Sequence, residues 1–241
     1  MGLVSEVFDD KILSLLKGDI SVGHVRYSTS GESFAANAQP LLVKYKKGNI
    51  AVVHNGNLVN ASSVREQLED QGMIFATTTD SEVIASLIAR NYKVGIEDAI
   101  LDMMDIIKGS YALAIMTNDK LIGVRDSFGL RPLVIGRRGN GYVLASETCA
   151  LDTIGAVFVR DVKPGEIVVI EEGGLRSMQC RTSIPQAKCV FEYIYFARPD
   201  SIMDGISVYQ ARENAGKILA KEQPAEADVV ICVPDSGTPA A

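Results

Sequence analysis

No block of lysine or arginine interrupts this sequence, whose formal net charge is −6. That balance argues against nucleic acid or an anionic membrane as a partner. No apolar run approaches the roughly 20 residues that span a bilayer. The opening residues, Met1 to Asp10, offer neither a basic start nor an apolar core, so no signal peptide is legible and a cytoplasmic location is expected. Cysteine is sparse: Cys149, Cys180, Cys189 and Cys232 form no CxxC pair, and the chain is too long to read as a disulfide scaffold. Internal repeats and low-complexity stretches are absent as well. What is present, 241 residues that are 47% hydrophobic and 22% charged, is an ordinary globular chain of about one to two domains able to bury a sizeable core.

Short strands alternate with a few amphipathic helices. Asn49 to Val53 is apolar and β-branched, and His54-Asn55-Gly56-Asn57 predicts a turn after it. Ala61 to Gln71 carries Val64 and Leu68 at helical spacing and meets Gly72, a helix stop. Thr79-Asp80-Ser81-Glu82 predicts a capping box opening a helix with Val83, Ile84, Leu87 and Ile88 on its apolar face. Another helix runs through Ala99, Met103, Met104 and Ile107 to Gly109. Strands are predicted over Tyr111 to Thr117, Leu121 to Arg125, Leu133 to Arg137, Tyr142 to Ser146 and Ile167 to Ile170. Their connections are too short for parallel crossovers, so they pair antiparallel. Little polar alternation marks the first three, which predicts sheets covered on both faces, packed together with helices outside. Past Ile184-Pro185 the composition shifts. A helix over Tyr209 to Lys221 and a buried-type strand over Asp228 to Val233, ending in Pro234-Asp235-Ser236-Gly237, read as the opening of an α/β domain.

Several residues could carry chemistry, each beside a plainer role. Arg26, after a short apolar strand over Ile20 to Val25, could hold a carboxylate through two parallel hydrogen bonds or form a surface ion pair. Asp80 at a helix start could bind an ammonium group or simply answer the helix dipole. Together the two would suit a zwitterionic amino acid. The Asn55 amide and the Gly56 N–H could stabilise a developing oxyanion, or the pair could serve only a turn. His24 and His54 are candidate general bases, though no serine or cysteine is paired with either by sequence, and a structural role is the plainer reading. The PDSG loop could cradle a pyrophosphate with backbone N–H groups, or be a plain strand-to-helix turn; it is not a Walker motif.

Taken together, these segments resemble the amidophosphoribosyltransferase family. The strings are Gly23-His24-Val25-Arg26-Tyr27-Ser28-Thr29, His54-Asn55-Gly56-Asn57, Thr79-Asp80-Ser81-Glu82 and Arg125-Asp126-Ser127-Phe128-Gly129-Leu130-Arg131-Pro132-Leu133. Glu192-Tyr193-Ile194-Tyr195-Phe196-Ala197-Arg198-Pro199-Asp200-Ser201 and Val233-Pro234-Asp235-Ser236-Gly237 complete them. The first four are shared in looser form across class II glutamine amidotransferases; the last two are specific to the phosphoribosyl branch. A fragment of another member of that class, such as glucosamine-6-phosphate synthase, leaves those last two unexplained.

The resemblance implies an α+β chain. Residues 1–184 would be a glutaminase domain of the N-terminal nucleophile type, a four-layer αββα sandwich of antiparallel sheets, incomplete at its start. Residues 185–241 would open an α/β phosphoribosyltransferase domain. Arg26 would grip the α-carboxylate of glutamine and Asp80 its α-ammonium; Tyr27 and Thr29 would lie in a loop closing over it. Asn55 and Gly56 would form the oxyanion hole. The parent enzyme would release ammonia from glutamine and deliver it to phosphoribosylpyrophosphate, giving 5-phosphoribosylamine, the first committed step of de novo purine (IMP) synthesis. Cys189 would be one ligand of a 4Fe-4S cluster, which takes four thiolates, and Mg2+ would assist phosphoribosyl transfer; these residues alone complete neither site. A homo-oligomer is implied too. The family's nucleophile is a cysteine at the mature N-terminus, whereas residue 1 here is Met1, so the polypeptide as written is expected to be inert and marginally stable. A non-catalytic module that binds glutamine or an intact subunit is the alternative from a different functional class.

Overall fold

The computed structural model describes residues 2–26, 34–180 and 185–241. Two short helices, α1 (Val4–Val7) and α2 (Asp10–Leu15), come first. Strands β1 (Leu41–Tyr45) and β2 (Gly48–Leu58) form a hairpin, followed by helices α3 (Ala61–Glu69), α4 (Asp80–Asn91) and α5 (Ile96–Ile106). Strands β3 (Gly109–Met116), β4 (Leu121–Arg125), β5 (Val134–Arg138) and β6 (Gly141–Ala145) come next. Helix α6 (Thr148–Thr153) leads to β7 (Val157–Asp161), β8 (Glu166–Glu171) and β9 (Gly174–Gln179). A π-helical turn over Glu192–Phe196, a ribbon of β10 (Ile202–Met203) and β11 (Ile206–Ser207), and α7 (Val208–Glu222) close the order.

The chain folds as two compact units, Met1–Ile122 with Val168–Ser177, and Gly123–Ile167 with Met178–Ala241. In the first, a sheet in the order β1-β2-β3-β4-β8-β9 takes Leu121 and Ile122 from β4, Val168–Glu171 from β8 and Gly174–Ser177 from β9. Helix α4 packs on β1 and β2 and against α3 and α5. It is accordingly buried on nearly every side from Ser81 to Ile88. Helix α5 buries Ile96, Ala99, Ile100, Met103 and Met104, the i, i+3, i+4, i+7 stripe of an amphipathic helix. Each large side chain so buried contributes about 1.5–3 kcal/mol. Four charges tie the edge together: Lys120 Nζ lies 2.7 Å from Glu97 and 3.3 Å from Glu171. Arg176 bridges the same two carboxylates, at 2.7 Å from Glu171.

In the second unit, β5 pairs antiparallel with β6 and with β7, with a register shift at Ile135/Gly136 on the β7 side. Val134, Leu151 and Ala156 form its small core. The Arg-Asp-Ser-Phe-Gly-Leu-Arg string is a self-clamped loop. The Asp126 carboxylate accepts from the backbone N–H of Phe128 (3.0 Å), Leu130 (3.1 Å) and Arg131 (3.2 Å). The Arg125 guanidinium, 2% exposed, donates to the carbonyls of Arg131, Val162 and Gly129 and faces Asp204. The Glu-Tyr-Ile-Tyr-Phe string is the π-turn, with Glu192 buried against Arg131. From α7, Arg212 donates to the carbonyls of Tyr193 and Ala197, each at 2.7 Å.

Four expectations need correction. The His54-Asn55-Gly56-Asn57 segment is not a turn: β2 continues through it, with Asn55 opposite Ala112 and Gly56 opposite Tyr111 on β3. A full ladder outweighs the local turn signal. The capping box does not form: Thr79 makes no side-chain cap, and Glu82 instead accepts from the N–H groups of Ala76 and Thr77 and the Thr77 hydroxyl. Ile20 to Val25 enters no strand among the described residues. Asp228 to Val233 is neither paired nor buried, with Val229, Val230, Ile231 and Val233 all 73–86% exposed. Apolar β-branched residues favour a strand only where a neighbouring edge accepts their hydrogen bonds. Expected Tyr27, Thr29 and the boundary residue Ile184 lie outside the described residues.

Candidate functional site

The site lies in the first unit, where the far half of β2 meets the N-terminus of α4. Residue Asp80 opens that helix, its carboxylate facing the exposed N–H end and favoured there by the dipole. Its Oδ2 accepts the Leu58 N–H at 3.0 Å. Its Oδ1 lies 3.4 Å from Nδ1 of His54, with side-chain exposures of 11% and 1%. Burial pushes the Asp80 carboxyl up. The hydrogen bond and charge of His54, with the N–H groups of Leu58 and Ser81, outweigh burial and hold it below the ordinary carboxylate value.

The approach to α4 is fixed by side chains. Asn37 and Thr78 exchange hydrogen bonds, 3.0 and 3.2 Å, and Arg65 donates to the Thr79 carbonyl at 2.9 Å. Gln39 spans the two elements: its Oε1 accepts the His54 N–H at 2.7 Å and its Nε2 donates to Ser81 Oγ at 3.0 Å. Nδ1 of His54 is also 3.3 Å from Ser81 Oγ, while Nε2 is buried with no hydrogen-bond partner among the described residues.

Gly56 sits inside β2 with φ +153°. A Cβ there would stand 2.0 Å from the Ser110 carbonyl oxygen and 2.8 Å from His54 Nε2, so only glycine fits. Asn55 and Gly56 are half-buried, on the strand segment that also supplies His54 and Leu58 to Asp80. Arg26 is half-buried beside His24. Burial first, then the charges of His54 and Arg26, hold the His24 imidazole below its ordinary value, so His24 feels the charge of His54.

The structure therefore gathers Asn55, Gly56 and Asp80 around one strand–helix junction. It adds Ser81 and Gln39, which sequence reasoning did not assign to the site, and sets His54, read from the sequence as a candidate general base or a structural residue, beside Asp80 and Ser81. Ser81 lies within the Thr79-Asp80-Ser81-Glu82 segment, whereas nothing in the pattern around Gln39 marks it. Cys189 stands apart from any such cluster: all four cysteines are free thiols, and no group of three or more His, Cys, Asp or Glu among the described residues could hold a metal. The residues described do not fit a four-thiolate cluster or a magnesium site. No helix among them is long and apolar enough to cross a membrane.

Residues 24–153 match the family model described as glutamine amidotransferase domain. Among curated relatives, amidophosphoribosyltransferase of Archaeoglobus fulgidus is 51% identical, covering 100% of this chain and 53% of its own length. That of Bacillus subtilis is 49% identical, at 100% and 51%. The chloroplastic enzyme of Vigna aconitifolia is 51% identical, at 100% and 50%. The chain thus spans about half the length of the curated relatives it matches. A solved structure described as the allosteric regulatory enzyme of purine biosynthesis superposes with a TM-score of 0.94 at 49% identity, over 99% of this chain and 52% of that one. The B. subtilis glutamine phosphoribosylpyrophosphate amidotransferase complexed with ADP and GMP gives 0.93 at 48% identity, over 100% and 52%. The shared fold is mixed α and β with antiparallel sheets.

Proposed function

This chain belongs to the glutamine amidotransferase domain family, and we propose that it forms the glutamine-hydrolysing part of an amidophosphoribosyltransferase. Glutamine and water would give glutamate and ammonia; ammonia would then displace pyrophosphate from phosphoribosylpyrophosphate to give 5-phosphoribosylamine. Residues 1–184 would belong to the αββα glutaminase sandwich, and residues 185–241 to the start of a phosphoribosyltransferase domain.

The single observation that carries this reading is the junction of β2 with α4. A glutamine α-ammonium would dock on the Asp80 carboxylate, whose two oxygens offer about four acceptor sites, part of them used by Leu58, His54 and Ser81. Its depressed carboxyl stays ionised at neutral pH, as an ammonium partner must. Arg26, two residues beyond His24, would take the α-carboxylate in the two-pronged way that guanidinium favours. The carboxamide would then lie along β2, where the Asn55 amide and Gly56 N–H would receive the oxygen as the thiol used by this family adds to the carbon. Such donors act on charge that develops only in the transition state, so they raise turnover more than affinity.

The test is Asp80→Asn in the protein translated from the complete reading frame, assayed for glutamate release and phosphoribosylpyrophosphate-dependent product. Loss of a charge-assisted hydrogen bond of about 1.5–3 kcal/mol raises KM for glutamine roughly tenfold to 150-fold. An unchanged KM, or product formation that ignores glutamine, would overturn the reading.

A further inference from the structure

We infer that His54 is a positioning residue for the glutamine site. Its Nδ1–H fixes the Asp80 carboxylate at the start of α4, and its Nε2 is left as a bare acceptor against Gly56. The inference rests on the function proposed above, but the observations behind it are separate. They concern which ring nitrogen carries the proton and what each nitrogen meets.

The ring is enclosed: 5% of the residue is exposed, and its two nitrogens meet different surroundings. Nδ1 lies 3.4 Å from Asp80 Oδ1 and 3.3 Å from Ser81 Oγ. An ionised carboxylate only accepts, and Ser81 Oγ accepts from Gln39 while directing its own O–H at Asp80 Oδ1, 3.5 Å away, so neither neighbour is a donor to Nδ1. Nε2 meets no hydrogen-bond partner among the described residues, and a Cβ added at Gly56 would come within 2.8 Å of it. In an uncharged ring, placing the proton on Nε2 would bury an N–H with nothing among the described residues to receive it, while turning a lone pair toward a carboxylate. Placing it on Nδ1 gives the carboxylate a donor and leaves only an acceptor unfilled. The partner of one nitrogen selects the tautomer of the ring, and here that partner is Asp80.

This arrangement explains why the carboxylate points as it does. Asp80 is held from β2 twice, by the Leu58 N–H on Oδ2 and by His54 on Oδ1. Gln39 in turn holds the His54 backbone and Ser81. The helix start is thus latched to the strand that carries Asn55 and Gly56, so the ammonium-binding oxygens and the oxyanion donors keep a fixed spacing. A misplacement far smaller than a side chain weakens binding when two ends of one ligand must be met at once. The imidazole itself touches no reacting atom.

The decisive pair of variants is His54→Asn and His54→Gln, because an asparagine amide can reproduce the Nδ1 donor while a glutamine amide extends toward the Nε2 position. In the intact enzyme, His54→Gln raises KM for glutamine about tenfold with kcat little changed, and His54→Asn returns KM close to the parent value. Equal impairment of both variants, or a fall in kcat at unchanged KM, would overturn the assignment. Nitrogen-15 NMR of the unsubstituted protein needs neither variant nor substrate. The Nδ1–H tautomer at His54 supports the inference, and the Nε2–H tautomer refutes it whether or not the variants fold. An enzyme that ignores glutamine altogether, yet shows the Nδ1–H tautomer, would refute the functional reading and leave the latch standing.

Discussion

Replacing Gly56 by alanine tests the claim that β2 runs through the Asn-Gly pair. The perturbation is one methyl group, and two costs follow from its position. The first is conformational: φ +153° lies where L side chains are rarely found, a strain of about 1–3 kcal/mol. The second is steric: the new Cβ would be 2.0 Å from the Ser110 oxygen and 2.8 Å from its carbon. These are backbone atoms of the paired strand, which cannot swing aside as a side-chain tip would. Forcing such a contact into a packed sheet costs about 1–3 kcal/mol more. The sum, roughly 2–6 kcal/mol, is a large part of the 5–15 kcal/mol typical of a folded domain. Gly72 supplies the comparison, since its φ is +84° but nothing lies within 4 Å of its added Cβ. Gly72→Ala should lose only the conformational share, about 1–2 kcal/mol. Urea unfolding with linear extrapolation measures both, and a Gly56→Ala loss no larger than that of Gly72→Ala would refute the strand geometry.

Two other stability measurements follow from the charges. Asp80 has a folded carboxyl below its unfolded value, near pH 3.9. Its contribution is complete above that unfolded value and is lost as pH falls through the folded one; the urea-midpoint gap between parent and Asp80→Asn should therefore shrink on acidification, and a gap constant with pH would contradict the coupling. Arg125 meets three carbonyls and Asp204 with one planar fork, so Arg125→Ala should cost about 3–5 kcal/mol. Arg125→Lys should recover less than half of that, because an ammonium cannot reach all three carbonyls; a lysine variant within about 1 kcal/mol of the parent would show that charge alone matters.

Helices α4, α5 and α7 were legible because each carries its own evidence: apolar residues at helical spacing, with polar residues or glycine at the ends. The hairpin strands from β3 to β6 were legible for a similar reason, short runs between turn residues. What stayed hidden depends on partners distant in sequence. Asn55-Gly56 is a statistical turn, yet β3 supplies the register that keeps it extended, and the Ser110 carbonyl supplies the reason for glycine. Thr79-Asp80-Ser81-Glu82 was read correctly as a helix start but not in its wiring, since Glu82 serves Ala76 and Thr77. Strand β7 escaped because its residues are mostly exposed and show no buried face. At the site, Asp80, Asn55 and Gly56 were visible as residue types in suggestive places. The couplings among Gln39, Ser81 and His54 were not, because a hydrogen bond between residues 15 or 42 positions apart leaves no periodic trace.

The four charges around Lys120 give the first unit an uneven resistance to physical stress. Glu97 and Glu171 are each gripped by both Lys120 and Arg176, in a ring that ties α5, the turn before β4 and the hairpin of β8 and β9. Hydration of ions weakens as temperature rises, so the desolvation cost of such a ring falls on heating while apolar burial levels off. Dissolved salt acts the other way, screening partly exposed charges at every temperature. This edge of the sheet is thus least secure in cold brine, and its response to salt runs opposite to that of apolar packing, which salting-out ions strengthen.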